Sequence, residues 1–329
     1  MKKILILSLI VLAACSRKPE EPLVSIAIIL QPSESFATRA GDPDDTRITD
    51  YNLYIFNAFG VLEERVFVPA RTLQLVDGKV KYRTTLLRDV PYTVVAAANL
   101  GYELPFRTLE EAKEYRYHLA YPDEFTQGLP MVAFREDFIV GDDHTLEVPL
   151  ERLMARIELS IDRSQLQSQV QFKVTDVRVG ACPSSVQLMA PSRVHTRQET
   201  FSVGYGKTGN EVSALNEGAS DGLSRSVNVY LLENCQGDLL ENVQTDSGKV
   251  FKDGTYQEIC SYIEIKAEYH SPTYNTRVGD RLIYRFYLGE SLNNFDVFRN
   301  TWYHITVCPK GDGLSEDSWR VNKEALTDS

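Results

Sequence analysis

The sequence predicts an all-β protein: two antiparallel β-sandwich domains in tandem, with one short helix in the first. Three observations predict it. Short runs rich in aromatic and β-branched residues recur along the chain, as in Tyr51-Asn52-Leu53-Tyr54-Ile55-Phe56. Several runs alternate apolar and polar residues with a period of two, the mark of a strand with one buried face. Gly, Pro, Asn and Asp separate them at the spacing of an antiparallel sandwich.

In chain order, residues 23–30 read as the first strand and 31–45 as a polar loop holding Pro32, Gly41 and Pro43. Residues 50–57 form a strand that turns at Gly60 into 61–68. Residues 74–87 form a hairpin about Asp77-Gly78, a dipeptide suited to a tight turn. Residues 92–98 are a buried strand. Thr108 and Glu111 make a capping box for a helix over 109–119, on which Leu109, Ala112, Tyr115 and Leu119 share a face. Residues 131–140 and 145–148 are short strands, punctuated by Pro130, Gly141 and Pro149.

The domain boundary is expected near Pro149, dividing the body into residues 23–149 and 150–329. Beyond it Leu153, Ala155, Ile157, Leu159 and Ile161 alternate with Met154, Arg156, Glu158, Ser160 and Asp162. Residues 170–179 alternate similarly. An irregular Gly- and Ser-rich stretch, 182–224, precedes strands at 226–232, 262–269, 281–288 and 302–308. In 262–269 Ile263, Ile265 and Ala267 point one way, and Glu264, Lys266 and Glu268 point to water.

The amino terminus has its own chemistry. Lys2 and Lys3 precede an apolar run from Ile4 to Ala14 broken only by Ser8, a secretory signal over residues 1–14. The run is too short to span a bilayer, which takes roughly 20 residues. It ends Leu12-Ala13-Ala14-Cys15, which resembles the lipobox of bacterial lipoproteins. That resemblance implies cleavage between Ala14 and Cys15, a diacylglycerol on the Cys15 thiol and a further acyl chain on its amine. One acyl chain holds a protein only marginally, and several hold it lastingly. Residues 15–22 then form a polar leash, and the body is expected at the outer membrane facing outwards.

The 329 residues, 43% hydrophobic and 25% charged, allow two substantial cores. A net charge of −11 argues against nucleic acid or an anionic lipid surface as partner. With Cys15 assigned to lipid, Cys182, Cys235, Cys260 and Cys308 remain. An even number in an oxidising compartment permits two disulfides in three connectivities. Cys235–Cys260 is favoured, because it would close a turn-rich excursion between two strands; four buried thiols are the alternative.

Motifs for catalysis are missing. Gly206-Lys207-Thr208 resembles the end of a phosphate-binding loop, but Phe201 stands where its first glycine belongs, so it reads as a flexible loop. The chain has no G-x-S-x-G, no H-E-x-x-H and no C-x-x-C. The acidic group Asp42, Asp44 and Asp45 lacks the glycine and glutamate of a calcium loop. His118, His144, His195, His270 and His304 are scattered. Tyr102, Tyr115, Tyr117 and Tyr121 are candidates for a sugar-binding surface, against the commoner role of core aromatics. No enzyme activity, metal, cofactor or small-molecule substrate is expected.

The chain resembles the fimbrial anchor family of type V fimbriae, the lipoprotein-derived pili of anaerobic Gram-negative bacteria. The resemblance is carried by Leu150-Glu151-Arg152-Leu153-Met154-Ala155-Arg156-Ile157, Val229-Tyr230-Leu231-Leu232-Glu233-Asn234 and Tyr262-Ile263-Glu264-Ile265. It continues through Tyr284-Arg285-Phe286-Tyr287-Leu288-Gly289, Asn294-Phe295-Asp296-Val297, Arg299-Asn300, Tyr303-His304-Ile305-Thr306-Val307 and Asp317-Ser318-Trp319. It implies transthyretin-like sandwiches and a protein that holds the base of a fimbrium and limits its length. It implies, too, a stalk subunit as partner, joined by strand exchange: a protease cuts after an arginine, an amino-terminal strand leaves and a partner's strand fills the groove. The candidate cut here is Arg39-Ala40. An anchor must avoid it, since cleavage would free the body from its own lipid, so residues 23–30 are expected to stay in place. The polar tail after Trp319 is short for a donor strand, which favours an anchor or tip over a stalk. The alternative function is a tip adhesin or a surface glycan-binding lipoprotein.

Overall fold

The computed structural model describes residues 23–33, 46–120, 125, 127–189, 195–196, 201–218, 222–251, 254, 256–274, 280–314 and 324–325. Its first half contains β1 (Leu23–Pro32), β2 (Tyr51–Asn57), β3 (Leu62–Val68), β4 (Val80–Leu87) and β5 (Pro91–Ala98). Helix α1 (Leu109–Glu114), β6 (Arg116–His118), β7 (Met131–Ile139) and β8 (Thr145–Arg152) complete it. The second half runs through β9 (Met154–Ile161), β10 (Gln171–Gly180), β11 (Cys182–Pro183), β12 (Ser185–Gln187), β13 (Phe201–Ser202) and β14 (Tyr205–Thr208). After them come β15 (Val227–Leu232), β16 (Tyr262–His270), β17 (Arg281–Tyr287), β18 (Trp302–Val307) and β19 (Glu324–Ala325).

Both halves are built on one plan. In the first, one sheet of order β3-β2-β5-β7-β8-β1-β4 folds over at the β7–β8 pair so that β3-β2-β5-β7 packs against β8-β1-β4. In the second, the sheet β14-β10-β16-β17 packs against the sheet β15-β9-β18-β19. Side chains from both layers of the first half make one core. Val24, Ile26, Ile28 and Leu30 of β1 and Val148 and Leu150 of β8 join Leu53 and Ile55 of β2 and Val94 and Ala96 of β5. The second core joins Ile157, Leu159 and Ile161 of β9 to Val177 and Val179 of β10 and Ile263 and Ile265 of β16. The alternation seen in β9 thus points its apolar members inwards, as a half-buried strand must.

Pairing is mostly antiparallel, with one parallel pair in each half. β1 lies parallel to β8 and β9 parallel to β18. Period-two alternation reports which face of a strand is buried and carries no sign of its direction. Strand direction is set by how the chain returns to close each sandwich. β2 and β5 depart from alternation because both of their faces are covered: Tyr54, Phe56, Val95 and Ala97 enter a third core with Leu104, Phe106, Val186, Leu188 and Leu232. That core unites the two halves, and the pairing of β6 with β12 reinforces it.

Four local expectations change. The helix stops after Glu114, not at 119; Thr108 caps it, accepting from Glu111 N at 3.2 Å. Residues 116–118 are taken instead into β6, where Tyr117 is buried and main-chain pairing to β12 outweighs helix propagation. At Asp77-Gly78, both residues have positive φ, 53° and 75°, and Val76 and Lys79 exchange both main-chain hydrogen bonds, so the turn forms although its first arm is a single bridge. Gly206-Lys207-Thr208 is not a flexible loop: it lies in β14, paired to β10.

The fourth concerns the strand expected over 145–148, which runs on through Pro149 to Arg152 as β8; the chain changes sheet at Leu153. Ala27 N donates to His144 O and Ser33 N to Leu150 O, each at 2.8 Å, so the even-numbered residues of β8 face β1 through their main chain. Pro149 therefore points its missing N–H away from β1, where a strand tolerates proline.

Candidate functional site

Residues that carry chemistry stay apart. Among the described residues, no three of His, Cys, Asp and Glu gather where a metal could be held. His144 contacts Ser25 O at 3.2 Å, and His304 sits 3.4 Å from Glu158 on the other half. The hydroxyls of Tyr102 and Tyr115 lie 3.3 Å apart, Tyr115 stands edge-on to Phe106 at 5.3 Å, and Tyr117 is buried. Of these tyrosines Tyr117 belongs to the core and Tyr102 is exposed; Tyr121 lies outside the described residues.

Cys182, Cys235, Cys260 and Cys308 are all buried. Cys182 and Cys260 carry free thiols, so the expected Cys235–Cys260 bridge is not formed. Cys260 lies in a small aromatic cluster with Tyr287 and Phe295, while Cys235 N is held by Thr196 Oγ1 at 2.9 Å. Burial pushes the Cys260 thiol up to about 12 and Cys182 higher still, so neither is a ready thiolate.

The main-chain machinery is more informative. β1 is an interior strand, antiparallel to β4 over Leu23↔Leu87 to Leu30↔Val80 and parallel to β8 over Ala27↔Thr145 to Pro32↔Leu150. Its four inward side chains, Val24, Ile26, Ile28 and Leu30, are buried. Its far end is tied down by a buried polar knot. Arg152, fully buried, donates through Nη1 to Ser33 O at 3.3 Å and to Asn300 Oδ1 at 3.1 Å. Asn300 Nδ2 donates to Ser33 Oγ at 2.8 Å, and its Oδ1 accepts from Ser33 Oγ at 3.1 Å and Arg152 N at 3.3 Å. Asn300 adopts φ 53°, a left-handed conformation that Asn tolerates better than most residues. The first strand is thereby fastened to the second half of the chain.

Sheet margins are treated unequally. On the β3–β4 side, Tyr82 and Thr84 reach across the sandwich to the Glu64 carboxylate, the latter at 2.6 Å. The β7–β8 side pairs only at Met131↔Arg152 and Val132↔Glu151, then splays. The splay leaves a cleft of about 730 Å³ lined in part by Ala133, Val148, Leu188 and Arg299. Arg299 is itself buried, paired with buried Glu233 at 3.0 Å. The edge of β18 is covered by β19, through Tyr303↔Ala325 and His304↔Glu324.

Sequence reasoning placed β1 but missed the knot and the Arg299–Glu233 pair. Buried arginines look like surface ones in a sequence; the signal available was their place in the stretches Leu150–Ile157 and Arg299-Asn300. Cys15, Ala14, Arg39 and Ala40 lie outside the described residues.

Residues 229–307 match a family model described as a domain of unknown function, DUF4906. No curated protein matches in sequence. The tip fimbrial protein Mfa3 of Porphyromonas gingivalis aligns with a TM-score of 0.56 at 10% identity, over 87% of this chain and 94% of that one. A fimbrilin, FimA, of Porphyromonas gingivalis aligns at 0.55 and 14% identity, over 89% and 92%. A fimbrial assembly protein of Parabacteroides distasonis aligns at 0.52 and 13% identity, over 92% and 99%. The fold is that of fimbrial proteins. Coverage of nearly the whole of both chains means that the paired sandwiches, and not one of them alone, are what is shared.

Proposed function

We propose that this chain is the lipid-anchored base protein of a fimbrium, held in the outer membrane through Cys15 and joined to the first stalk subunit by β-strand pairing. The observation that carries the reading is the state of β1. This strand continues directly into the leash and Cys15, and it is interior to its sheet, buried on alternate residues and fastened at its end by Arg152 and Asn300. A strand so held transmits tension from the body to the lipid. Loss of that strand would sever the body from the membrane, so retention of β1 is what an anchor needs. The splayed β7–β8 margin offers main-chain groups to which an extended partner segment could add.

Two measurements test the reading. Cys15→Ser should release the protein into the medium, and fimbriae should be shed with it; retention as firm as in the parent overturns the anchor. Mass spectrometry should find mature surface protein that keeps residues 23–33. A mature chain beginning at Ala40 would instead mark a polymerising subunit. The alternative, a tip adhesin, predicts normal attachment of fimbriae and lost adhesion after gene deletion, whereas an anchor predicts long fimbriae shed from the cell.

A further inference from the structure

The strand pairings assign one end of the first sandwich to the leash. Leu23 is opposite Leu87, Asn57 opposite Tyr92, Ile139 opposite Pro91, and Thr145 opposite Ala27. The start of β1, the β2–β3 turn, the β4–β5 turn and the β7–β8 turn therefore share a pole. Asp89 N donates to Val140 O at 3.0 Å and Arg88 pairs with Asp142 at 2.5 Å, which ties two of those turns together. The second half is attached at the opposite pole, where β8 ends and Arg152 and Asn300 meet.

Exposed apolar side chains collect at the leash pole. Among the described residues before Leu153 seven large hydrophobics are exposed, and four of them stand here: Phe59 at 90%, Leu23 at 67%, Ile139 at 58% and Val61 at 56%. Phe59 is presented rigidly. Asn57 Oδ1 accepts from Phe59 N at 2.9 Å and from Val61 N at 3.1 Å, an Asx turn that fixes the tip, while Leu109 N donates to Gly60 O at 3.1 Å from the helix start. A fixed turn holding a nearly bare phenyl ring in water gains nothing for the fold, since the ring contributes no burial.

We infer that this pole is a membrane-contact surface, with Phe59, Ile139 and Leu23 entering the headgroup boundary of a bilayer. The inference rests on the reading of Cys15 as the lipid anchor. The distance argument favours it: Cys15 to Pro22 is eight residues and reaches at most about 28 Å fully extended. β1 alone, at ten residues, is roughly 33 Å long. The leash is thus shorter than the sandwich it carries, so the pole where it ends is the part of the body held nearest the lipid. Asp89, Asp142 and Asp143 around Arg88 make the rim acidic, which suits a zwitterionic surface and disfavours an anionic one. Such contact would add a second hold beside the acyl chains and would orient the second half away from the membrane.

The test uses the lipidated full chain in phosphatidylcholine vesicles carrying a headgroup-level quencher. Phe59→Trp and Ile139→Trp, made separately, should give blue-shifted emission that the quencher reduces, while Val76→Trp at the opposite pole should be unaffected. In the unlipidated Cys15→Ser chain, Phe59→Ser should lower the partition onto phosphatidylcholine vesicles about tenfold. Vesicle-bound lipidated protein with no quenching at either pole position overturns the membrane contact and leaves the lipid anchor standing. Equal quenching at Phe59→Trp and Val76→Trp also overturns it, since the body would then lie on its side. Protection of Phe59→Trp appearing only after a stalk subunit is added would give the pole to a protein partner instead. Failure of the anchor itself is read separately, from Cys15→Ser protein that stays on cells.

Discussion

Removing the Asn300 side chain tests whether the first strand is fastened as the structure indicates. Asn300→Ala deletes at least these hydrogen bonds: one to Ser33 Oγ from Nδ2, and those accepted by Oδ1 from Ser33 Oγ, Arg152 N and Arg152 Nη1. The bond to the guanidinium is worth about 1.5–3 kcal/mol, because a buried cation loses an acceptor, and neutral bonds contribute about 1 kcal/mol each before partial compensation. At φ 53° an alanine adds about 1–2 kcal/mol of backbone strain. These terms overlap, and the expected loss is about 3–5 kcal/mol in all. Asn300→Gly restores the left-handed freedom and should recover about 1 kcal/mol of it. Asn300→Asp keeps an acceptor beside Arg152 and should lose least. The assay is amide hydrogen exchange at Ala27 and Ser33, whose N–H groups bond across to β8. In Asn300→Ala these should exchange about a hundredfold faster or more, with Ile157 on β9 less affected. Exchange at Ser33 within a factor of three of the parent would refute the knot as the fastening of β1.

Three further outcomes follow from the same structure. Ile28→Ala, in the fully buried row of β1, should cost about 2–5 kcal/mol in urea unfolding, whereas Ile29→Ala on the partly covered face should cost under about 1 kcal/mol; equal costs would mean the register is wrong. Burial holds the Asp50 carboxyl above its ordinary range, against the pull of the Gly101 and Leu100 N–H groups. The folded state thus binds that proton more tightly than the unfolded one. Its contribution is full below the ordinary carboxylate value, about 3.9, and is lost as pH rises through the folded value. Asn in its place should flatten that decline, seen as a smaller change in urea midpoint between about pH 4 and pH 7. Cys260, pushed up to about 12, should resist iodoacetamide at neutral pH in the native protein and react only after denaturation; native labelling within minutes contradicts its burial.

How far the sequence reaches can be judged strand by strand. β9 and β16 announced themselves by alternation, and Ile157, Leu159, Ile161, Ile263 and Ile265 lie in the second core. Met154, Arg156 and Glu264 on the opposite faces are buried too, Glu264 against Arg285 rather than in water. The turn at Asp77-Gly78 was legible because few dipeptides accept two positive φ angles. Other features depend on what arrives from far along the chain. The helix after Thr108 ends early because β12, some seventy residues on, claims residues 116–118 for a sheet. The bridge expected between Cys235 and Cys260 is absent: Cys260 carries a free thiol and lies in a cluster with Tyr287 and Phe295. Arg152 and Arg299 carry no local sign of burial; Asn300 and Glu233 meet them in the interior.

Local sequence determined the periodicity of the strands and the turns with special backbone angles. Tertiary structure alone decided the parallel pairs β1–β8 and β9–β18, the burial of both faces of β2 and β5, and the gathering of four exposed apolar residues at the pole where the leash ends. The reason is one of range. Alternation and turn propensity are properties of a few neighbouring residues, whereas strand direction, double burial and the meeting of buried charges depend on contacts between segments up to 267 residues apart, as Ser33 and Asn300 are.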